Sequence, residues 1–252
     1  MSIGGERDVL GLRRAGRTVA EVLAALRQEV KPGVTTGELD QRCAELLAQR
    51  GARSAPQLFY GFPGAMCISV NDEAVHGVPG RRVLKPGDLV KLDLVIEQNG
   101  YVADAAVTVG VPPASPEALR LARCARRALR AAVNQIRADR RVYDVSRAIQ
   151  SEVERQGFSV IPSLCGHGVG RSIHEEPQIP NFADPRNTDV LTEGLVIAVE
   201  PIIAAGYGDV FEEDDGWTIR TADGSLSAHH EHTFIVTRGE PIVVTAGQQL
   251  DA

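Results

Sequence analysis

A chain of 252 residues with 43% apolar, 24% charged and 4% aromatic side chains is long enough to bury a substantial core, and it is neither disordered nor collagen-like in composition. Its 27 Lys and Arg against 33 Asp and Glu leave a formal charge of −6, with no basic tract longer than "GRR", which argues against a nucleic-acid partner. Cys43, Cys67, Cys124 and Cys165 are scattered without a C-x-x-C pair, and neither a membrane-length apolar run nor a signal-peptide core is present, so a reduced cytoplasmic protein without a membrane span is expected.

In chain order, residues 6–30 and 36–50 are amphipathic and predict two helices, interrupted by Pro32 and Gly33, with Thr36 available to cap the second. From 66 to 110 the pattern turns to short β-rich runs, "MCISV", "DLVKLDLVIE" and "YVADAAVTVGV", split by Pro-Gly and Asn-Gly turns. Residues 116–137 and 143–156 predict helices again, and 158–245 is a second β-rich stretch. The order repeats. Slid on itself by 106 residues, the chain sets Val30 against Ile136, Glu38 against Asp144, Leu47 against Val153 and Gly51 against Gly157. This weak self-similarity predicts a pseudo-twofold α/β fold whose β halves meet at one cleft. No low-complexity linker divides the halves, so residues 1–252 are expected to form one domain.

Asn99-Gly100 between two alternating runs signals a two-residue hairpin turn. Residues whose numbers sum to 199 then face each other, so Asp93 opposes Ala106 and Asp104 opposes Val95. Both aspartates thereby share one face of the hairpin, while the other face, from Val90 to Ile96 and Tyr101 to Val107, is almost wholly apolar and predicts core. Two adjacent acids repel unless something positive sits between them. Glu200, ending "LVIAVEPII", and Glu231, in "SAHHEHTFIV", are two more acids at strand ends, where burial is costly without a partner. Four converging carboxylates are neutralised by two divalent cations and not by one, which favours a dinuclear centre, and oxygen-rich ligation with one histidine suits manganese, iron or cobalt at least as well as zinc.

His167 and His174 lie seven residues apart in "CGHGVGRSIH". Its glycines disfavour a helix, and along an extended strand that spacing points the two rings to opposite faces. His167, among small neighbours, is therefore assigned to a metal and His174 to substrate.

"AVHGVPG", "LDLVIEQNGYVADAAVTVG", "CGHGVGRSIHEEPQIPNF", "LVIAVEPII" and "SAHHEHTFIV" resemble, in order and across nearly the whole chain, the successive motifs of the methionine aminopeptidase family, type I. The resemblance implies the pita-bread fold, with pseudo-twofold α/β halves around a central antiparallel sheet. It implies two divalent ions, cobalt, manganese, iron or zinc, held by Asp93, Asp104, His167, Glu200 and Glu231, with Asp104 and Glu231 bridging. It further implies His76 and His174 as substrate contacts, Glu200 as proton shuttle and His174 as oxyanion donor. Phe59, Phe62, Cys67 and Trp217 are implied as walls of a methionine pocket. The implied activity is removal of the N-terminal methionine from nascent polypeptides whose second residue is small, by a cytoplasmic monomer that docks transiently on the ribosome, if at all, through its catalytic domain. Three positions depart from the family's usual residues: Ile173 where an aromatic is frequent, His230 where glutamine or tyrosine is expected, and Ala105 where threonine or cysteine is common. Prolidase and aminopeptidase P share the five-ligand pattern but usually add a large N-terminal domain, and a metal-free binding module on this scaffold would lack ligands.

Overall fold

A computed structural model describes residues 1–247, so 248–252 of the expected domain lie outside the described residues. The first half runs α1 (Glu6–Glu29), α2 (Thr36–Gln49), β1 (Arg53–Ser54), α3 (Ala55–Tyr60), β2 (Cys67–Val70), β3 (Glu73–Val75), β4 (Leu89–Gln98) and β5 (Tyr101–Gly110). The second begins with α4 (Pro116–Val133), α5 (Val142–Arg155), β6 (Ser159–Val160), β7 (Cys165–Gly168), β8 (Glu175–Pro180) and β9 (Val196–Val199). It closes with β10 (Ile202–Ala204), β11 (Val210–Glu212), β12 (Ile219–Thr221), β13 (Ser227–His229), β14 (Glu231–Ile235) and β15 (Ile242–Val243).

The four long helices fall where the apolar periodicity puts them. The cap of α2 does not: Thr35, rather than Thr36, accepts from the Glu38 N–H at 3.1 Å, and Glu38 accepts in return from the Thr35 N–H at 2.7 Å. Of two adjacent threonines, the one three residues before a glutamate satisfies two orphan amides at once. The repeat also appears in the fold. An offset of 106 carries the bounds of α2 onto those of α5, and those of β1 onto those of β6.

A nine-stranded antiparallel sheet follows the order β1-β4-β5-β14-β9-β7-β8, with β2 added to β4 and β15 to β14. Its seam is β5 against β14, where Glu231 pairs with Ala106 and His232 with Ala105. Each half has its own core. Leu12, Val19, Leu23 and Leu26 of α1 pack with Leu92, Leu94, Ile96 and Ala103, and Leu121, Ala125 and Leu129 of α4 pack with Ile149, Ile197, Val199 and Phe234. Each such leucine contributes about 2 kcal/mol by leaving water.

The β4-β5 hairpin has the expected register, Asp93 opposite Ala106 and Val95 opposite Asp104. Asn99 and Gly100 both take positive φ, 55° and 82°, as a type I′ turn requires. The apolar face joins the core with α1. The aspartate face is covered as well, since Lys91, Val95, Asp104 and Ala106 are all buried. It forms the floor of a cavity.

Candidate metal centre

One row across the sheet reads Cys67, Asp93, Ala106, Glu231, on β2, β4, β5 and β14. Ala106 is the small residue between two acids, and Asp104, two along β5, points to the same face. The methyl group at Ala106 leaves the space into which three carboxylates converge. His167 arrives from β7, paired with Ala198 of β9, and Glu200 follows directly after β9. Both halves therefore supply the cluster.

His167 Nε2 lies 3.8 Å from Asp104 Oδ2 and 3.4 Å from Glu200 Oε1. Its Nδ1 lies 2.9 Å from the Gly168 carbonyl, which holds the proton on Nδ1 and leaves Nε2 with a lone pair aimed at the carboxylates. Burial pulls the imidazole pKa down to about 4, so it is neutral, as a ligand must be. Burial pushes the carboxyls of Asp93, Asp104, Glu200 and Glu231 upward, and neighbouring acids add to the rise at Asp104, Glu200 and Glu231. Asp104 Oδ1 and Glu231 Oε1 are buried without a hydrogen-bond partner among the described residues. Acids, a neutral imidazole and orphaned oxygens fit a divalent cation. Two three-donor groups, Asp104-His167-Glu231 and Glu200-His229-Glu231, each lie within 4.8 Å and share Glu231.

Above this floor opens a cavity of about 600 Å³ lined by Phe62, Cys67, His76, His174 and Trp217, together with the acids and His167. Exposure rises from floor to mouth: Asp104 and Glu231 are buried, Asp93 and Glu200 half-buried, His76 and His174 exposed. His76 sits in the left-handed region at φ 57°, an uncommon conformation for a non-glycine residue. Phe62 meets Trp217 edge to face at 5.2 Å, and Ile173 is buried in the same wall.

Two expectations are corrected. His167 and His174 do not part to opposite faces; their rings meet edge to face at 4.4 Å. The strand ends at Gly168, and the chain turns through Gly170, φ 130°, before β8. Phe59 does not line the cavity and is 39% exposed, whereas its neighbour Tyr60 does line it. Both lie on α3, a six-residue helix capped by Ser54 and ended by Gly61 at φ 72°. One step along a helix turns a side chain by about 100°, so adjacent residues do not face the same space.

Two residues that sequence reasoning did not find also belong here. His229 faces the carboxylates, and burial holds its pKa down at about 4. Lys91, 1% exposed on β4, donates from Nζ to the Asn71 carbonyl at 2.7 Å and to Ser227 Oγ at 3.1 Å. It ties the β2-β3 turn and β13 to the strand that carries Asp93.

The profile of metallopeptidase family M24 matches residues 11–238, a span that includes all five clustered side chains. The chain belongs to metallopeptidase family M24. This M24 peptidase is 41% identical over 240 residues to the methionine aminopeptidase of Clostridium perfringens (strain 13 / Type A), covering 95% of the chain and 96% of that relative. It superposes on the crystal structure of methionine aminopeptidase from Rickettsia prowazekii with a TM-score of 0.94 at 35% identity, over 98% of this chain and 100% of the other. Prolidase from Pyrococcus furiosus shares the fold at a TM-score of 0.78 and 21% identity, matching 98% of the M24 chain but 66% of its own length. The architecture is the pita-bread fold.

Proposed function

We propose that this M24 chain is a methionine aminopeptidase that binds two divalent ions through Asp93, Asp104, His167, Glu200 and Glu231. The observation that carries the reading is the convergence of the buried Asp104, His167 and Glu231 donors, with Asp93 and Glu200 beside them, at the floor of a cavity with an apolar wall. Four carboxylates, an unpaired buried oxygen on each of Asp104 and Glu231, and a match to methionine aminopeptidases along nearly the whole chain support it. Divalent ions held there supply Lewis-acid polarisation of the scissile carbonyl and lower the pKa of water toward neutrality.

The chain's own residues do the rest. Phe62, Cys67, Ile173 and Trp217 receive the methionine side chain in a short apolar recess, and crowding beyond it admits only a small second residue. Glu200, half-buried with Oε1 toward His167, accepts a proton from the attacking water and returns it to the leaving amine. His174 at the mouth donates to the developing oxyanion, and His76 holds the peptide beside the bond being cut. The substrates are nascent-chain N-termini, met by a cytoplasmic monomer. The four free thiols fit a reducing compartment.

The decisive experiment is hydrolysis of Met-Ala-Ser against Gly-Pro-Ala peptides with manganese or cobalt, alongside metal analysis of protein purified without chelator. Release of free methionine from the first peptide alone is expected. Cleavage confined to the proline peptide would overturn the reading in favour of a prolidase-type activity.

A further inference from the structure

His229 lies behind the carboxylate cluster, 1% exposed, with both ring nitrogens buried and without a hydrogen-bond partner among the described residues. Its Nε2 is 3.7 Å from Glu200 Oε2 and 3.4 Å from Glu231 Oε2. The other oxygen of Glu200, Oε1, faces His167 Nε2 at 3.4 Å. The Glu200 carboxylate therefore lies between two imidazoles, one facing each oxygen.

The two histidines are built differently. His167 gives its Nδ1 proton to the Gly168 carbonyl at 2.9 Å, so its Nε2 is a lone-pair donor, the usual arrangement of a metal ligand. Among the described residues no carbonyl takes the Nδ1 of His229, so none of them fixes its Nε2 as a lone pair. What Nε2 faces is acceptor on both sides. A buried imidazole is costly when left unbonded, and the two carboxylate oxygens in front of it are the groups able to satisfy it. The backbone is also pinned: Thr108 Oγ1 donates to the His229 carbonyl at 2.6 Å, the His229 N–H lies 2.9 Å from the same hydroxyl, and Ile202 pairs with His229 across the strands. A ring on so firm a mount can hold a flexible carboxylate in one orientation.

We infer that His229 is a positioning residue of the metal centre, its Nε2–H directed at the facing oxygens Glu231 Oε2 and Glu200 Oε2 and drawn into a hydrogen bond when those carboxylates are ionised by bound metal, so fixing which oxygen of each is offered to the ions. This rests on the proposed metal-dependent function and adds a part to it. Glu200, the proposed proton shuttle, is thereby kept with Oε1 toward His167 and the reacting water.

The test is manganese binding to the metal-free full chain by isothermal titration calorimetry, with electron paramagnetic resonance of the bound manganese and steady-state kinetics alongside. His229→Leu removes both nitrogens at similar volume, and His229→Gln restores an amide donor of similar reach. His229→Leu is expected to weaken manganese binding by about 10- to 100-fold and to lower kcat, while His229→Gln stays within about 3-fold of wild type. Wild-type affinity in a folded His229→Leu chain would overturn the inference. Equal loss in both variants would also overturn it, because the imidazole would then be a ligand in its own right. If near-UV circular dichroism shows that His229→Leu does not fold, His229→Asn, whose amide is too short to reach, replaces it in the same contrast with His229→Gln. A wild-type chain that takes up no divalent ion overturns the metal-dependent function itself, an outcome distinct from any difference among the variants.

Discussion

The Tyr60 hydroxyl lies 2.8 Å from His174 Nδ1, and the two rings stack with centroids 5.6 Å apart and planes 24° from parallel. The phenol occupies Nδ1 and leaves Nε2 to meet the substrate. Tyr60→Phe keeps the stack and removes the bond, so kcat is expected to fall roughly 5-fold, the equivalent of about 1 kcal/mol, with KM and metal content unchanged. Kinetics on Met-Ala-Ser with manganese check this, and an unchanged kcat would remove Tyr60 from the machinery.

Asp104 and His174 should fail in different ways. Asp104→Asn takes a charged donor from the floor, so metal binding and turnover are both expected to be lost while the circular dichroism spectrum is kept. His174→Ala leaves the floor intact and is expected to lower kcat by roughly 10²-fold with both ions retained. Parallel metal analysis and kinetics separate the two cases. Loss of metal in the His174 variant would show that the roles are wrongly divided.

Burial, reinforced by neighbouring acids, holds the carboxyls of Asp104, Glu200 and Glu231 well above the usual range in the metal-free chain. His167, drawn down to about 4, has already lost its imidazolium proton near neutrality. A raised carboxyl pKa means that the metal-free folded site keeps protons which a bound cation must expel. Metal binding should therefore release protons from carboxyls, and affinity should tighten as pH rises. Calorimetry in buffers of different ionisation enthalpy counts these protons, and a pH-independent affinity would contradict the argument.

A Cβ at Gly168 would sit 2.2 Å from the Glu176 carbonyl oxygen, and one at Gly166 would sit 2.4 Å from that of Ala198. These glycines let β7 lie tightly between β8 and β9 while it carries His167. Gly168→Ala is expected to cost about 2 kcal/mol or more, lowering the melting temperature by roughly 4–8 °C, and to weaken manganese binding through His167. Scanning calorimetry and metal titration read both effects, and wild-type melting with wild-type binding would dismiss the clash.

The register of β4 and β5 is legible in the sequence because Asn99-Gly100 admits one tight turn, and a turn sets every pair along the hairpin. The long helices are legible because each buries a stripe that recurs over several turns. The mutual approach of His167 and His174 is not, since the turn at Gly170 is a tertiary fact that glycine content suggests but does not aim. Tyr60 is missed for a related reason: six residues of α3 are too few for periodicity to say which side faces inward. His229 is hidden by its company. In "SAHHEH" nothing local tells which imidazole meets the acids; all three are buried, and what separates His229 is that its Nε2 faces Glu200 and Glu231, whereas His232 Nδ1 lies 2.8 Å from Thr245 Oγ1.

The central sheet is completed out of order. β14, which carries Glu231, lies between β5 and β9 although both precede it in the sequence. During synthesis those two strands have no common neighbour until β14 emerges and wedges between them, and a chain halted before residue 231 lacks both the seam and the buried Glu231 carboxylate. The fold is thus open through most of its own translation, and its closure arrives in one late step, when the keystone strand docks.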